Sequence, residues 1–202
     1  MEVVLALCKE KNVTFFDFFF KNACNVLIFT IFASVYLNLM EMKVRIEEVN
    51  SRRKMYAFVH YPEKLYKGND YWVPALLGDE YDTFNPKKNA AYEFCDAKCW
   101  LAYDEKGNVV GRVAGIINRK SNEIRHSKTI RFGWLDFIDD IDVLRALIDT
   151  VELWGKSYGM DTIIGPFGFS DMDKEGLLVD GFDKIAPFTT LYNYPYYEPR
   201  LK

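Results

Sequence analysis

The sequence predicts an α/β fold of the α+β type, in which helices flank a mixed central β-sheet. Two stretches carry this prediction. Residues 97–117 read as an antiparallel hairpin, and residues 129–164 read as a strand, an amphipathic helix and a second strand. Strands that are joined through a helix pair in parallel, so the sheet should contain both antiparallel and parallel neighbours.

The composition is that of a folded protein. Its 202 residues are enough for one domain with a substantial core, and half of them are apolar. The net charge of −3 gives no support for general nucleic-acid binding, so we expect no nucleic-acid partner. Cys95 and Cys99 form a C-x-x-x-C pair with no nearby histidine. We interpret them as two thiols of one strand and predict no metal site.

The N-terminus differs from the rest of the chain: an apolar extension (1–41) precedes a patterned domain (42–202). Its apolar run is long enough for a marginal membrane span. Three interpretations are open: an upstream extension with the true start at Met40 or Met42, a membrane anchor through residues 14–40, or a packed helix of the domain. The first is favoured because the patterned domain begins directly after Met42. It predicts a cytoplasmic protein, whereas the second predicts a membrane-anchored one.

The domain should begin with a strand and a helix. Residues 43–49 alternate polar and apolar side chains, as a half-buried strand does. Asn50 or Ser51 can cap a following helix, whose apolar residues recur at helical spacing. Pro62 ends this helix or starts a second short one. Residues 67–94 follow as a loop-rich segment with several aromatic side chains. We favour aromatics that anchor a long loop on the core, and aromatics that line a groove are the alternative.

A clear hairpin comes next. Residues 97–103 and 109–117 are its strands, and residues 104–108 form the turn. The connection that follows, residues 118–128, is rich in arginine and lysine. We favour a solvated loop there, and a loop that meets phosphate groups is the alternative.

The strongest helical signature follows the strand at residues 129–137. Apolar residues recur every three or four positions between Leu144 and Tyr158, and Gly159 is well placed to end this helix. Residues 162–164 form a short strand, which we expect to be central and buried on both faces.

This order of elements resembles the GNAT superfamily of acyl-CoA-dependent N-acetyltransferases. Five stretches look like the N-terminal part of longer bacterial GNAT-like proteins: YWVPALLGDE, NPKKNAAYEF, VVGRVAGIINR, GLLVDGFD and YNYPYYEPRL. The resemblance covers residues 42–202. It implies a further helix and two more strands, so we expect the domain to be incomplete at its C-terminus. Its expected partners are the remainder of a larger polypeptide or further copies in a homo-oligomer.

The resemblance also implies an acetyl-CoA site where the long strand meets the main helix. Backbone groups at this junction bind the pantetheine and pyrophosphate in the superfamily. The corresponding residues here are Phe137, Ile138, Asp139, Asp140 and Ile141. The junction has two carboxylates and no glycine, so its pyrophosphate loop is degenerate. Aspartates cap a helix well, but a like charge about 4 Å away costs on the order of 4 kcal/mol at an effective dielectric of about 20.

Five side chains around this junction are candidate site residues. Arg119 and Arg125 would offset the repulsion if their loop folds over the cofactor. Asp136 on the strand and Glu123 near it are candidate general bases, because an amine acceptor must lose a proton. The superfamily often uses a tyrosine as general acid, and the resemblance puts Tyr194 near that position.

The resemblance therefore implies an N-acetyltransferase-like domain that transfers an acyl group from acetyl-CoA to a small-molecule or peptide amine. The degenerate junction keeps an alternative open, namely a non-catalytic structural or binding module of a larger protein.

Overall fold

The structure, a computed structural model, describes residues 44–187 and 190–202. The apolar extension, with its alternative starts and its candidate membrane anchor, lies outside the described residues. In the part of the chain that is described, no helix combines the length and the apolar character that crossing a membrane requires.

Five strands form one sheet, and its spatial order follows the sequence. They are β1 (Arg45–Glu48), β2 (Cys95–Tyr103), β3 (Val109–Asn118), β4 (Thr129–Phe137) and β5 (Thr162–Ile164). Neighbours from β1 to β4 pair antiparallel, and β4 pairs with β5 in parallel. The predicted mixed sheet, with its hairpin and its parallel pair, is confirmed.

Helices fill the connections between the strands. They are α1 (Arg52–Leu65), α2 (Leu77–Thr83), a short 3-10 helix (Ala90–Glu93), α3 (Arg119–Arg125), α4 (Ile141–Ser157) and α5 (Tyr197–Leu201). The two long helices, α1 and α4, contribute to two different core clusters. Val113 of β3 belongs to the cluster with α4, and its neighbour Ala114 belongs to the cluster with α1. Because successive strand residues point to opposite faces, the two helices cover opposite faces of the sheet.

Both long helices begin at the predicted caps. The side chain of Ser51 accepts a hydrogen bond from the Lys54 N–H at 3.3 Å. The side chain of Asp140 accepts one from the Asp142 N–H at 2.8 Å. Gly159 follows α4 with a φ of +77°, which glycine adopts without strain. The predicted start of α1 and both predicted ends of α4 are therefore confirmed.

Helix α1 continues through Pro62, so the expectation that this residue ends the helix or starts another is wrong. Proline lacks the N–H that would bond to the carbonyl four residues earlier, which is that of Phe58. Arg112 Nη1 from β3 donates to this carbonyl oxygen at 2.8 Å instead. A side chain of the sheet thus replaces the hydrogen bond that proline removes.

Two helices lie where the sequence predicts loops. α2 falls within residues 67–94, and α3 falls within residues 118–128. Each has seven residues and no buried side chain, so neither leaves an apolar periodicity that a sequence pattern can reveal. α3 is fixed at its start by Asn118, whose side chain accepts a hydrogen bond from the Ser121 N–H at 2.8 Å.

Strand β5 has the predicted bounds but a different environment. Among the described residues it pairs with β4 alone, so it forms an edge of the sheet. Ile164 is 42% exposed, while Ile163 packs against the core cluster of α4. The expectation of a central strand buried on both faces is wrong for the part of the chain that is described, because only one neighbour covers it there.

Strand β4 is bulged in its middle. Its register against β3 shifts between Arg112 and Ala114, opposite Trp134 and Leu135. Trp134 has a φ of +47°. This left-handed conformation costs a bulky residue about 1–2 kcal/mol and is often found where a strand is shaped for function.

Candidate functional site

A cleft of about 300 Å³ opens between α1, α2 and the bulged part of β4. Residues 72–76, 172–174 and 190–193 complete its wall. Its volume lies at the lower end of the range of small-molecule sites. The bulge contributes directly, because Trp134 and Leu135 both line the cleft.

Four of the buried polar side chains that line the cleft form what we call its floor: Tyr66, Arg112, Asp136 and Tyr197. Arg112 Nε donates to Asp136 Oδ2 at 2.7 Å. Tyr66 OH donates to Asp136 Oδ1 at 2.9 Å. Tyr197 OH lies 3.1 Å from Tyr66 OH and 3.4 Å from Asp136 Oδ1. These donors compensate the cost of burying the aspartate charge.

The two phenols of the floor are hydrogen-bond donors at neutral pH. Burial, and then the charge of Asp136, raises the pKa of Tyr66 and of Tyr197 well above the ordinary tyrosine value. Tyr197 OH also accepts a hydrogen bond from the Phe137 N–H at 3.2 Å, which joins α5 to β4. The floor is therefore a hydrogen-bonded network that joins α1, β3, β4 and α5.

Arg112 has donor capacity left over. Its side chain is only 8% exposed. Nε bonds to Asp136 and Nη1 bonds to the Phe58 carbonyl, whereas Nη2 makes no hydrogen bond to any residue that the structure describes. Solvent reaches this nitrogen, and Arg112 lines the cleft, so an acceptor in the cleft can bond to it. An oxygen of a bound ligand is a suitable partner for it.

The walls of the cleft are largely apolar and its edge is acidic. The apolar residues include Val59, Trp72, Leu76, Leu77, Leu135 and Leu191. We call the remaining charged residues the rim: Glu63, Asp79, Glu80, Asp173 and Lys174. With four carboxylates and one ammonium group, the rim favours a positively charged ligand.

The backbone of the predicted cofactor junction is engaged by the chain itself. The Phe137 N–H donates to Tyr197 OH, and the Phe137 carbonyl accepts from Tyr196 OH. Asp139 Oδ1 accepts a hydrogen bond from Arg200 Nε at 3.0 Å. Residues of α5 and the residue before it thus lie on the strand end that the resemblance assigns to pantetheine.

The start of α4 also does not fit a pyrophosphate as it stands. The Ile138 N–H donates to a carbonyl of β3 at 3.0 Å, and Ile141 is the first residue of the helix. Asp139, Asp140 and Asp142 put three carboxylates around the first turn. These charges repel an anion that approaches the helix N-terminus.

Three predicted site residues, Arg119, Glu123 and Arg125, lie on α3, far from the junction. α3 follows the end of β3, whereas the junction lies beside the start of that strand. A strand of ten residues spans roughly 30 Å. Arg119 pairs with Asp96 at this far end. The structure does not bring these three residues together with the junction.

The other two predicted residues lie in or beside the cleft. Asp136 is part of the floor. Tyr194 packs its ring 5.1 Å from that of Tyr66 and donates from its hydroxyl to the Leu65 carbonyl at 3.3 Å. Tyr194 therefore supports the floor from outside the lining of the cleft.

Sequence reasoning missed Tyr66, Arg112 and Glu80. Arg112 left a signal, because it is the only charged residue of β3, whose other members are mostly apolar. Tyr66 follows α1 and Glu80 belongs to the overlooked α2, and neither lies in a pattern that distinguishes it from an ordinary surface residue.

The cysteines lie where the sequence predicts. Cys95 and Cys99 both belong to β2, and both are buried free thiols. Burial raises the pKa of Cys95 to about 11 and raises that of Cys99 as well. Within the described ranges, no group of three or more His, Cys, Asp or Glu residues is placed to hold a metal ion.

No protein-family model matches the chain. Protein YghO of Escherichia coli (strain K12) is 28% identical over 165 residues, which is 82% of this chain and 42% of that protein. The bacterial ceramide synthase of Caulobacter vibrioides (strain NA1000 / CB15N) is 27% identical over 156 residues, 76% of this chain and 40% of that protein. The chain thus spans about two fifths of the length of the curated relatives it matches.

A solved structure is also similar. It is the crystal structure of an acetyltransferase of the GNAT family from Staphylococcus aureus Mu50, which is 19% identical with a TM-score of 0.44. The match covers 61% of this chain and 73% of that one.

Proposed function

We propose that this chain carries the amine-binding part of an N-acyltransferase, which transfers an acyl group from a thioester such as acetyl-CoA to a small-molecule amine. The observation that carries the proposal is the cleft. It combines an acidic rim, apolar walls and a buried guanidinium with a spare donor. Its small volume favours a small molecule over a peptide as the acceptor.

The chemistry of amide formation assigns a role to each part of the cleft. The ammonium form of the acceptor first loses one proton, and the amine nitrogen then attacks the carbonyl carbon of the thioester. The C–S bond breaks, and the second proton of the nitrogen leaves with the sulfur as the thiol. The carboxylates of the rim attract the ammonium form of the acceptor. Arg112 is the donor that we assign to the oxygen of the carbonyl, where negative charge develops during the attack.

Asp136 acts in this proposal through its neighbours. Each of its contacts in the described structure is with a donor, namely Arg112, Tyr66 and Tyr197. We therefore assign to it the positioning of the guanidinium and of the phenols. The proton that the ammonium form loses before the attack is accepted by water or by a carboxylate of the rim.

The name of one relative agrees with this proposal. This relative is called a bacterial ceramide synthase, and ceramide is a lipid in which a fatty acyl group is joined to an amine through an amide bond. An acidic cleft with apolar walls suits such an acceptor. We extend the chemistry of that name to this chain as part of the proposal.

The proposal is tested by following the release of CoA. The full-length protein is incubated with acetyl-CoA or a long-chain acyl-CoA, with and without a primary amine, and free CoA and the amide are measured by liquid chromatography and mass spectrometry. We expect CoA release that depends on the amine, with an equal amount of amide. CoA release at the rate of the buffer control with every amine would overturn the proposal.

A non-catalytic binding module is the second candidate, and one observation favours it. The Phe137 backbone is engaged by Tyr196 and Tyr197, and the start of α4 is acidic. This candidate predicts no heat when CoA or acetyl-CoA is titrated into the protein in a calorimeter. A saturable heat of binding would exclude it in favour of the transferase.

A further inference from the structure

The cleft separates apolar from charged groups. Apolar side chains from α1, α2, β4 and the adjoining loops form its walls, and the carboxylates stand at its rim. The buried charges of the floor neutralise each other, since Arg112 and Asp136 form an ion pair. Lys174 is the cationic lining residue that remains, so a ligand meets net negative charge at the rim and apolar surface inside.

Two carboxylates of the rim, Glu80 and Asp173, are half-buried, and each has one oxygen that accepts a hydrogen bond. Of these two, Glu80 is the one bonded to an indole that lines the cleft, so we assign the cation to it. Glu63 already bonds to His60 through Oε2, with Nδ1 at 2.7 Å, and Asp79 is exposed to solvent. Glu80 is half-buried, and its Oε2 accepts a hydrogen bond from Trp134 Nε1 at 2.9 Å. Its Oε1 makes no hydrogen bond to a residue within the described ranges. One oxygen thus fixes the carboxylate while the other remains able to accept.

The partner of Glu80 adds to this site. Trp134 occupies the bulge of β4 with a φ of +47° and packs its ring 4.8 Å from that of Phe84. The strained backbone and the aromatic packing hold the indole beside the carboxylate. A cation next to an indole ring and a partly buried carboxylate is favoured by both groups.

We propose that the cleft selects an amphiphilic primary amine, with its ammonium group on Glu80 beside Trp134 and its alkyl chain along the apolar walls. This inference rests on the proposed function, because it names the acceptor class of the same site. It goes beyond that function by assigning the selectivity for the amine to Glu80, which belongs to the rim and not to the floor.

Binding to the full chain without any acyl donor tests the inference. Octylamine, octanol and ethylamine are titrated separately, and binding is followed by calorimetry and by the fluorescence of Trp72 and Trp134, which line the cleft. Compared with octylamine, octanol has the same alkyl chain but no charge, whereas ethylamine has the same charge but a much shorter alkyl chain. We expect octylamine to bind at least about tenfold more tightly than either, a difference of about 1.4 kcal/mol.

Two variants test whether the ammonium group binds at Glu80. Glu80→Gln removes the charge and keeps an acceptor for Trp134, so we expect octylamine to bind about tenfold more weakly with octanol unchanged. Glu105→Gln, in the exposed hairpin turn, is the matched control and should bind as the wild type does. Should Glu80→Gln fail to fold, added NaCl provides the second measurement in the wild type, because salt weakens the binding of a cation and spares that of octanol.

The outcomes separate this inference from the function it rests on. Equal affinity for octylamine and octanol, no binding of octylamine, or an unchanged affinity in folded Glu80→Gln would overturn the inference. Amine-dependent CoA release at equal rates with ethylamine and octylamine would overturn the proposed selectivity and would still support the transferase function. Selective octylamine binding without any CoA release would support the inferred binding site while removing the transferase.

Discussion

At the scale of single residues, the fold and the cleft share one polar network. Pro62 leaves the Phe58 carbonyl without its helical partner, Arg112 bonds to that carbonyl, and Asp136 neutralises Arg112. Tyr66 and Tyr197 complete the shell around the aspartate. Removing any one member leaves a buried polar group without its partner, which is costly in a protein interior.

This network predicts a large effect of Asp136→Asn. The change leaves the buried Arg112 charge uncompensated, so we expect the free energy of unfolding to fall by about 3–5 kcal/mol. Urea denaturation followed by circular dichroism measures it. Asp82→Asn removes the charge from an exposed pair with Lys88 and should change stability by less than about 1 kcal/mol. Similar losses in the two variants would show that the buried network contributes little.

The residues of this network could be predicted from the sequence only in part. Asp136 was identified because it precedes the junction on a recognisable strand. Its partners Arg112 and Tyr66 are 24 and 70 residues away along the chain, and no local pattern connects them. The sequence also related Arg119 and Arg125 to the junction, but they follow the opposite end of β3.

At the scale of elements, long periodic segments were predicted well and short ones were not. The hairpin is marked by a turn between two largely apolar strands, and α4 by an apolar face that recurs at helical spacing. α2 and α3 have seven residues each and are held by tertiary contacts and a cap. The bulge at Trp134 left no signal, because a positive φ at tryptophan is set by the strand's neighbours.

The start of α4 predicts a small and local effect of Asp140→Ala. Loss of the hydrogen bond from the Asp142 N–H should lower the free energy of unfolding by about 1 kcal/mol. Thermal or urea denaturation measures this difference. Asp140→Ser keeps a capping oxygen and should stay within a few tenths of a kcal/mol of the wild type. A loss of the same size in Asp140→Ser would mean that the charge, and not the cap, stabilises the helix.

At the scale of the whole molecule, α4 covers one face of the sheet and α1 covers the other. The cleft lies beside α1 and the bulge of β4. The junction that the resemblance assigns to acetyl-CoA is engaged by α5 and by carboxylates. In the cleft, Arg112 and Glu80 each keep an atom that can bond to a ligand. We therefore propose that the amine is acylated in the cleft.

Amide formation by a variant with a filled cleft tests this proposal most directly. Ala75 lies in a loop that lines the cleft, and Ala75→Trp should fill it without burying a new charge. Ala90, exposed at the start of the 3-10 helix, provides the control Ala90→Trp.

Amide formed from octylamine and acyl-CoA is measured by mass spectrometry in full-length proteins with matching circular dichroism spectra. We expect Ala75→Trp to form at least about tenfold less amide, a loss of about 1.4 kcal/mol in transition-state stabilisation, and Ala90→Trp to match the wild type. Equal amide formation by the wild type and Ala75→Trp, or none by the wild type, would contradict acylation in the cleft.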